Sequence, residues 1–189
     1  MANFWLDTMD KENIEESYGF TNYHSIILRP DRWGDTRHME PYCVPLPEAD
    51  FRRGIQMWES SKDCEKLVSV MKSITLPKVT RIIAFGLSHP IVDQNSATII
   101  QHAAVLTIKQ ILEDRDCSQG KVECFAQDPM YLDSDVDLLG LFGIEIVKSP
   151  NGLLMLDDQT VVFSHYPAFD IEGVVADLAK PAMLFTATP

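Results

Sequence analysis

Any chemistry in this sequence falls to a few polar residues that follow apolar runs. Gly86, Ser88 and His89 come after "TRIIAF", Asp128 after "VECFAQ", and His165 after "TVVFS". A glycine at such a place lets the chain turn with positive φ and lets a ligand approach the backbone. The start of a following helix offers free N–H groups and a partial positive charge to an anion. An aspartate ending the second strand of such a unit stands where an acidic side chain grips a ribose hydroxyl. A histidine gives or takes a proton near neutral pH. Ser96 and Gln101, in "NSATIIQHAAVL", add two polar side chains near the head of a helical stretch.

Plainer uses compete with each of these. Asp-Pro is a common turn, and His165 before Tyr166-Pro167 can simply bond to backbone. The dinucleotide fingerprint G-x-G-x-x-G is absent: Ser88 stands for its second glycine and Ile91 for its third. Ser164 and His165 are adjacent, so on a strand they point to opposite faces and do not form a nucleophile–base pair. The chain has no Gly-x-Ser-x-Gly elbow, no His-Glu-x-x-His and no Gly-Lys-Ser/Thr phosphate loop, so no residue is assigned a catalytic role. His102 lies among apolar residues of a helical stretch and reads as a satisfied core or interface histidine. His24 and His38 sit in irregular chain and read as surface. The four cysteines, Cys43, Cys64, Cys117 and Cys124, form no Cys-x-x-Cys pair, so free buried or half-buried thiols are expected and no metal cluster is. No cofactor is identified.

The elements that must hold these residues are legible in the apolar spacing. Phe51, Ile55 and Trp58, then Leu67, Val68, Met71 and Ile74, recur at helical intervals. Ser61 is a candidate N-cap between them, so one broken helix or two are expected. "VTRIIAFGL" suits a buried parallel strand. Asn95 or Ser96 can cap the next helix, whose apolar residues run almost all round the cylinder. A strand "KVECFAQDP", a helix stopped at Gly143 and a strand "IEIVK" follow. Leu153–Leu156 and Thr160–Ser164 read as a hairpin turning at Asp157-Asp158. A helix "FDIEGVVADLAK" and a last strand "AMLFTA" complete the pattern. An α/β domain usually adds a helix after such a strand, so a shortened member of its class or a trimmed chain is expected.

Strands alternating with helices from Arg81 onward give an α/β class: a Rossmann-like three-layer sandwich with a mainly parallel sheet. Residues 1–47, with Pro30, Pro41, Pro45 and Pro47 and little periodicity, read as an irregular N-terminal extension. Its acidic start, Asp7–Glu16, reads as mobile or as a short surface helix. Residues 48–189 form the domain together with its leading helical segment. At 189 residues and 46% apolar composition, one domain with a useful core is expected.

The net charge of -12 argues against a nucleic-acid or anionic-membrane partner, because phosphate neutralisation needs a basic surface. The acidic N-terminus has no apolar signal region, and no stretch is apolar enough to span a bilayer. An intracellular, reduced protein of the cytoplasm or nucleus is expected. Its partner is a protein or a small molecule, and the oligomeric state is open.

The ordered segments "IIAFGL", "NSATIIQHAAVLTIKQIL", "VECFAQDPMYLDSDVDLLGLFGIEIV" and "TVVFSHYPAFDIEGVVADL" resemble the sensitivity-to-red-light-reduced (SRR-type) domain family. The resemblance covers roughly Lys78–Pro189. It matches Gly86 to the family's first glycine, Ser96 to its helix-opening serine, Gln101 to its helical glutamine and Asp128-Pro129 to its strand-end pair. His165 matches the histidine of a Pro-His pair. Ser88 stands where the family has a second glycine, and Ser164 where it has proline. The resemblance implies a regulatory or signalling protein, of a class linked to light and circadian signalling, with no agreed reaction. The alternatives are an enzyme or binder of a nucleotide or S-adenosylmethionine-type molecule at the strand ends, or a haem-binding regulator.

Overall fold

A computed structural model of the chain describes residues 4–8, 25–30, 45–92, 97–115, 120–165 and 170–186. The elements are β1 (Phe4–Thr8), β2 (Ser25–Pro30), α1 (Glu48–Glu59), α2 (Lys62–Ser73), β3 (Arg81–Phe85), α3 (Ala97–Arg115), β4 (Glu123–Gln127), α4 (Asp133–Leu141), β5 (Glu145–Ile146), α5 (Asn151–Leu154), β6 (Thr160–Ser164), α6 (Ile171–Leu178) and β7 (Met183–Thr186). The sheet runs β1-β2-β7-β6-β3-β4-β5. All neighbours pair in parallel except β1 with β2.

The parallel core has the doubly wound order. The chain steps outward from β3 to β4 and β5, returns to β6 beside β3, and steps outward again to β7. Period-2 alternation sorts the side chains of these strands onto two faces. Ile82, Ala84, Val161, Phe163, Met183 and Phe185 pack with residues of α1, α2, α3 and α4. Ile83, Phe85, Val162 and Leu184 pack with Ile171 and Val175 of α6 and with Leu153 of α5. Strands β3 and β6 are buried almost throughout because helices cover both faces.

Local chemistry explains the boundaries. Ser61 separates α1 from α2, and its Oγ accepts the Cys64 N–H at 3.1 Å, so the broken helical pattern is two helices. Gly143 takes φ 75 just after α4, where a residue with a Cβ is strained. Asp170 caps α6 by accepting the Gly173 N–H at 3.0 Å.

Two features differ from the sequence reading. Strands β1 and β2 lie within residues 1–47, which read as an irregular extension. The expected hairpin is not one: Asn151–Leu154 form the short helix α5, and β6 pairs in parallel with β3 and β7. The apolar residues Leu153, Met155 and Leu156 made a strand-like run, but they pack beneath the sheet instead. The turn at Asp157 leads into β6: Asp157 accepts from the Gln159 N–H at 3.0 Å and the Thr160 hydroxyl at 2.6 Å, and its other oxygen holds Arg81 of β3 at 3.2 Å.

Helix α1 approaches α3 closely at Gly54, where an added Cβ would overlap the Cγ2 methyl of Ile99. Gly54→Val is therefore expected to lower stability by about 1–3 kcal/mol through overpacking. Urea unfolding checks this, and an unchanged midpoint would show that the two helices part freely.

Candidate functional site at the sheet switch point

In an open α/β sheet the ligand crevice lies beyond the carboxyl ends of the strands where the strand order reverses. Here that place is between β3 and β6. Gly86 leaves β3 with φ 71, and its N–H donates to the Gln127 carbonyl at 3.4 Å. Ser88 also has positive φ, 61, as the sole non-glycine with that geometry among the described residues. Its N–H donates to Asp128 Oδ2 at 2.8 Å, while Asp128 Oδ1 accepts the Met130 N–H at 2.8 Å. Asp128 thus ties the turn after β3 to the turn after β4, and both of its oxygens hold backbone.

A left-handed φ costs a residue with a Cβ roughly 1–2 kcal/mol. Glycine loses more chain entropy on folding, about 0.5–1 kcal/mol, which offsets part of the relief. Ser88→Gly is accordingly expected to stabilise the protein by up to about 1 kcal/mol. Thermal unfolding checks it, and a lower melting temperature would mean that the serine side chain contributes more than its backbone costs.

The same turn delivers His89. Its Nδ1 lies 2.9 and 3.0 Å from the two oxygens of Asp135, a carboxylate only 1% exposed at the head of α4. Asp135 Oδ2 also accepts the Leu132 N–H at 2.7 Å, the backward reach typical of an acidic residue in a first helical turn. A carboxylate can only accept, so Nδ1 carries the proton and Nε2 is left with a lone pair when the ring is neutral. That Nε2 is buried and has no hydrogen-bond partner among the described residues. A carboxylate holding one ring nitrogen so that the other can take a proton is the logic by which acid–base histidines are oriented.

Across the switch point, Ser164 ends β6 in register with Phe85, and its buried hydroxyl is likewise without a partner. His165 follows, 3% exposed, with its backbone N–H donating to the Phe85 carbonyl at 3.0 Å. Burial pushes its ring down to about 4. Thr186 closes the end of β7, also buried. Gln127 turns its Oε1 to the Gly152 N–H at 2.9 Å and so joins β4 to α5.

Behind the crevice lies a third histidine. His102, fully buried, faces the Thr98 carbonyl with Nδ1 at 2.6 Å and the Tyr131 hydroxyl with Nε2 at 2.9 Å. The ring donates to the carbonyl and accepts from the phenol. Burial pushes its pKa down to about 4, and burial pushes the Tyr131 phenol well above its ordinary range. Thr98 also accepts the Ile91 N–H at 3.0 Å through Oγ1. His102 is the satisfied core histidine expected from its surroundings.

Of the residues singled out in the sequence, Ser88 and Asp128 are joined by a hydrogen bond, Gly86 bonds to the carbonyl of Gln127 next to Asp128, and His89 borders them in the same turn. His165 joins β3 through its backbone. Gln101 is buried on α3, beside His102 in sequence. Ser96 lies outside the described residues, as do Cys43, Cys117, His24 and His38. Cys64 and Cys124 are buried free thiols, and burial raises the Cys124 pKa to about 12. Among the described residues no group of three or more His, Cys, Asp or Glu side chains is placed to hold a metal ion. No helix among them is long and apolar enough to cross a membrane.

Asp135 and Tyr131 were not legible as site residues. Asp135 is 46 positions from His89, and in the sequence it reads only as a helix-opening acid. A search for a carboxylate near the end of the second strand finds Asp128 first.

A family model, described as the SRR1 domain, matches residues 64–186. No curated protein and no solved structure matches the chain. The matched span opens inside α2 and ends on the last residue of β7, so it takes in every strand from β3 to β7.

Proposed function

The chain belongs to the SRR1 domain family, and on that premise we propose that it is a regulatory protein of the class tied to light and circadian signalling or related control, acting in the cytoplasm or nucleus. The observation that supports this most is the extent of the match, which embraces the whole switch-point crevice. The charged groups there are consistent with it. Asp128 is bonded to two backbone amides and Asp135 to His89, so both shape the loops rather than stand open to a reactant. In this reading the crevice is a recognition surface that a protein partner or a small molecule reads.

The test is co-purification of the full chain from its own cells, beside Asp128→Ala and His165→Ala, with a parallel screen for metabolite turnover. The expected result is a partner set that either substitution depletes, and no turnover. A metabolite consumed by the wild type and spared by either variant would overturn the regulatory reading.

One observation favours a second reading, a small-molecule binder or enzyme for a nucleotide or S-adenosylmethionine-type ligand. His89 Nε2 and Ser164 Oγ are buried polar atoms with no partner at the ends of adjacent strands, and such atoms cost free energy until something bonds them. A ligand at a hundredfold excess over its Kd stabilises by about 2.7 kcal/mol. That is a rise of roughly 5–10 °C for a chain of this size. A thermal-shift panel with no response at millimolar ligand counts against this reading.

A further inference from the structure

At the opposite end of the sheet, before β3 and β4, lies an open groove of about 430 Å³. Its floor is apolar, made by Leu76, Val79, Leu112 and Val122, and its rim carries Lys78, Arg115 and Lys121. Among the described residues five cations pair with acids, Arg52 with Glu48, Arg53 with Asp50, Lys66 with Asp63, Arg81 with Asp157, and Lys109 with Glu113, while Lys62, Lys72 and Lys148 stand singly elsewhere. The three rim cations have no such partner among those residues. Among the described residues the one acid in the lining, Glu123, faces Arg81 at 3.8 Å, which balances part of its charge. A chain of net charge -12 thus gathers three positive side chains around one groove with apolar residues in its floor.

We propose that this groove docks an acidic, apolar-containing peptide segment of a partner protein. A small phosphate would use the cations and gain nothing from the floor. A nucleic acid would meet the repulsion of the remaining surface along its length. A short peptide segment places acids on the rim and buries one or two apolar side chains in the trough, the usual division between a polar rim and a hydrophobic centre. The rest of the acidic surface does not forbid this. At physiological ionic strength charges beyond about 8 Å are largely screened, so the rim decides. The groove is at the far end of the strands from the crevice, and this inference stands or falls separately from the reading of that site.

The experiment is fluorescence anisotropy on the full chain with a labelled peptide of about twelve residues that alternates glutamate with leucine and phenylalanine. Parallel peptides replace the glutamates by lysine, or the apolar residues by serine. The expected result is binding of the first peptide only, weakened about tenfold by the triple variant Lys78→Glu, Arg115→Glu and Lys121→Glu, a loss of three rim attractions. All three side chains are exposed, so the melting temperature should fall by no more than a few degrees, the cost of reversing the Arg115 charge at the C-terminus of α3. Equal binding by the triple variant, or no binding by the wild type, overturns the proposal. Equally tight binding of the serine peptide, or displacement by millimolar inorganic phosphate, overturns it in favour of a plain anion patch.

Discussion

Lowering the pH from 6.5 toward 4 should destabilise this protein steeply, because two buried histidines stay neutral in the fold. Burial holds both His102 and His165 near about 4, against an ordinary value of 6.5. Between those values the unfolded chain takes up a proton at each ring and the folded chain does not. Stability is therefore complete above 6.5, falls as the pH drops, and levels off for these groups below 4. Each ring contributes about 3 kcal/mol over the whole window, at roughly 1.4 kcal/mol for every pH unit between its folded and unfolded values. Near pH 5.5 the two together give a slope of about 2 kcal/mol per pH unit. Urea unfolding at pH 6.5, 5.5 and 5 checks this. His102→Gln should roughly halve the slope, since one of the two rings is gone. A stability that is flat across that window would mean that the rings take up protons in the fold, through local opening or a bound anion.

Asp135→Ala is expected to cost about 2–4 kcal/mol, because it leaves two donors inside the fold unsatisfied at about 1–3 kcal/mol each. The substitution strands the His89 Nδ1 proton and the Leu132 N–H together. It also takes an acid from the first turn of α4, where it complements the helix dipole. For a chain of this size the melting temperature should fall by on the order of 10 °C. Asp135→Asn should cost less, because the amide oxygen still accepts the Leu132 N–H while the amide NH2 donates to His89 Nδ1. It separates packing from chemistry: nitrogen NMR of the imidazole should show Nδ1–H in the wild type and a shift toward Nε2–H in the variant. A melting temperature within a degree or two of the wild type for Asp135→Ala would show that the pair contributes little to the fold.

Strands and helices with their own periodicity were legible. The run before Gly86, the helix over Ala97–Arg115 and the strand ending at Gln127 each follow from apolar spacing and a terminating residue. What tertiary context decides was not. Four apolar residues after Pro150 fit a strand or a single helical turn equally well, and packing against Phe125 and Val162 on the lower face chose the helix. The order of the strands, which turns a list of strand-end residues into a switch point, has no local signature. At the site, the glycine-like turn was readable from Gly86, but the backbone strain at Ser88 was visible only as an odd residue in a glycine place. The His89–Asp135 pair joins two segments with no shared motif, so neither residue announces the other.

The bond from Ser88 N–H to Asp128 sets any incoming anion in competition with the protein itself. A phosphate seeking that amide must evict a carboxylate that is already part of the same molecule. A tethered competitor acts at an effective concentration of millimolar or more even on a flexible linker, and Asp128 is fixed at its other oxygen by the Met130 N–H. A free phosphate thus meets a competitor at least as concentrated as itself. The turn keeps the shape of an anion cradle while carrying its own occupant.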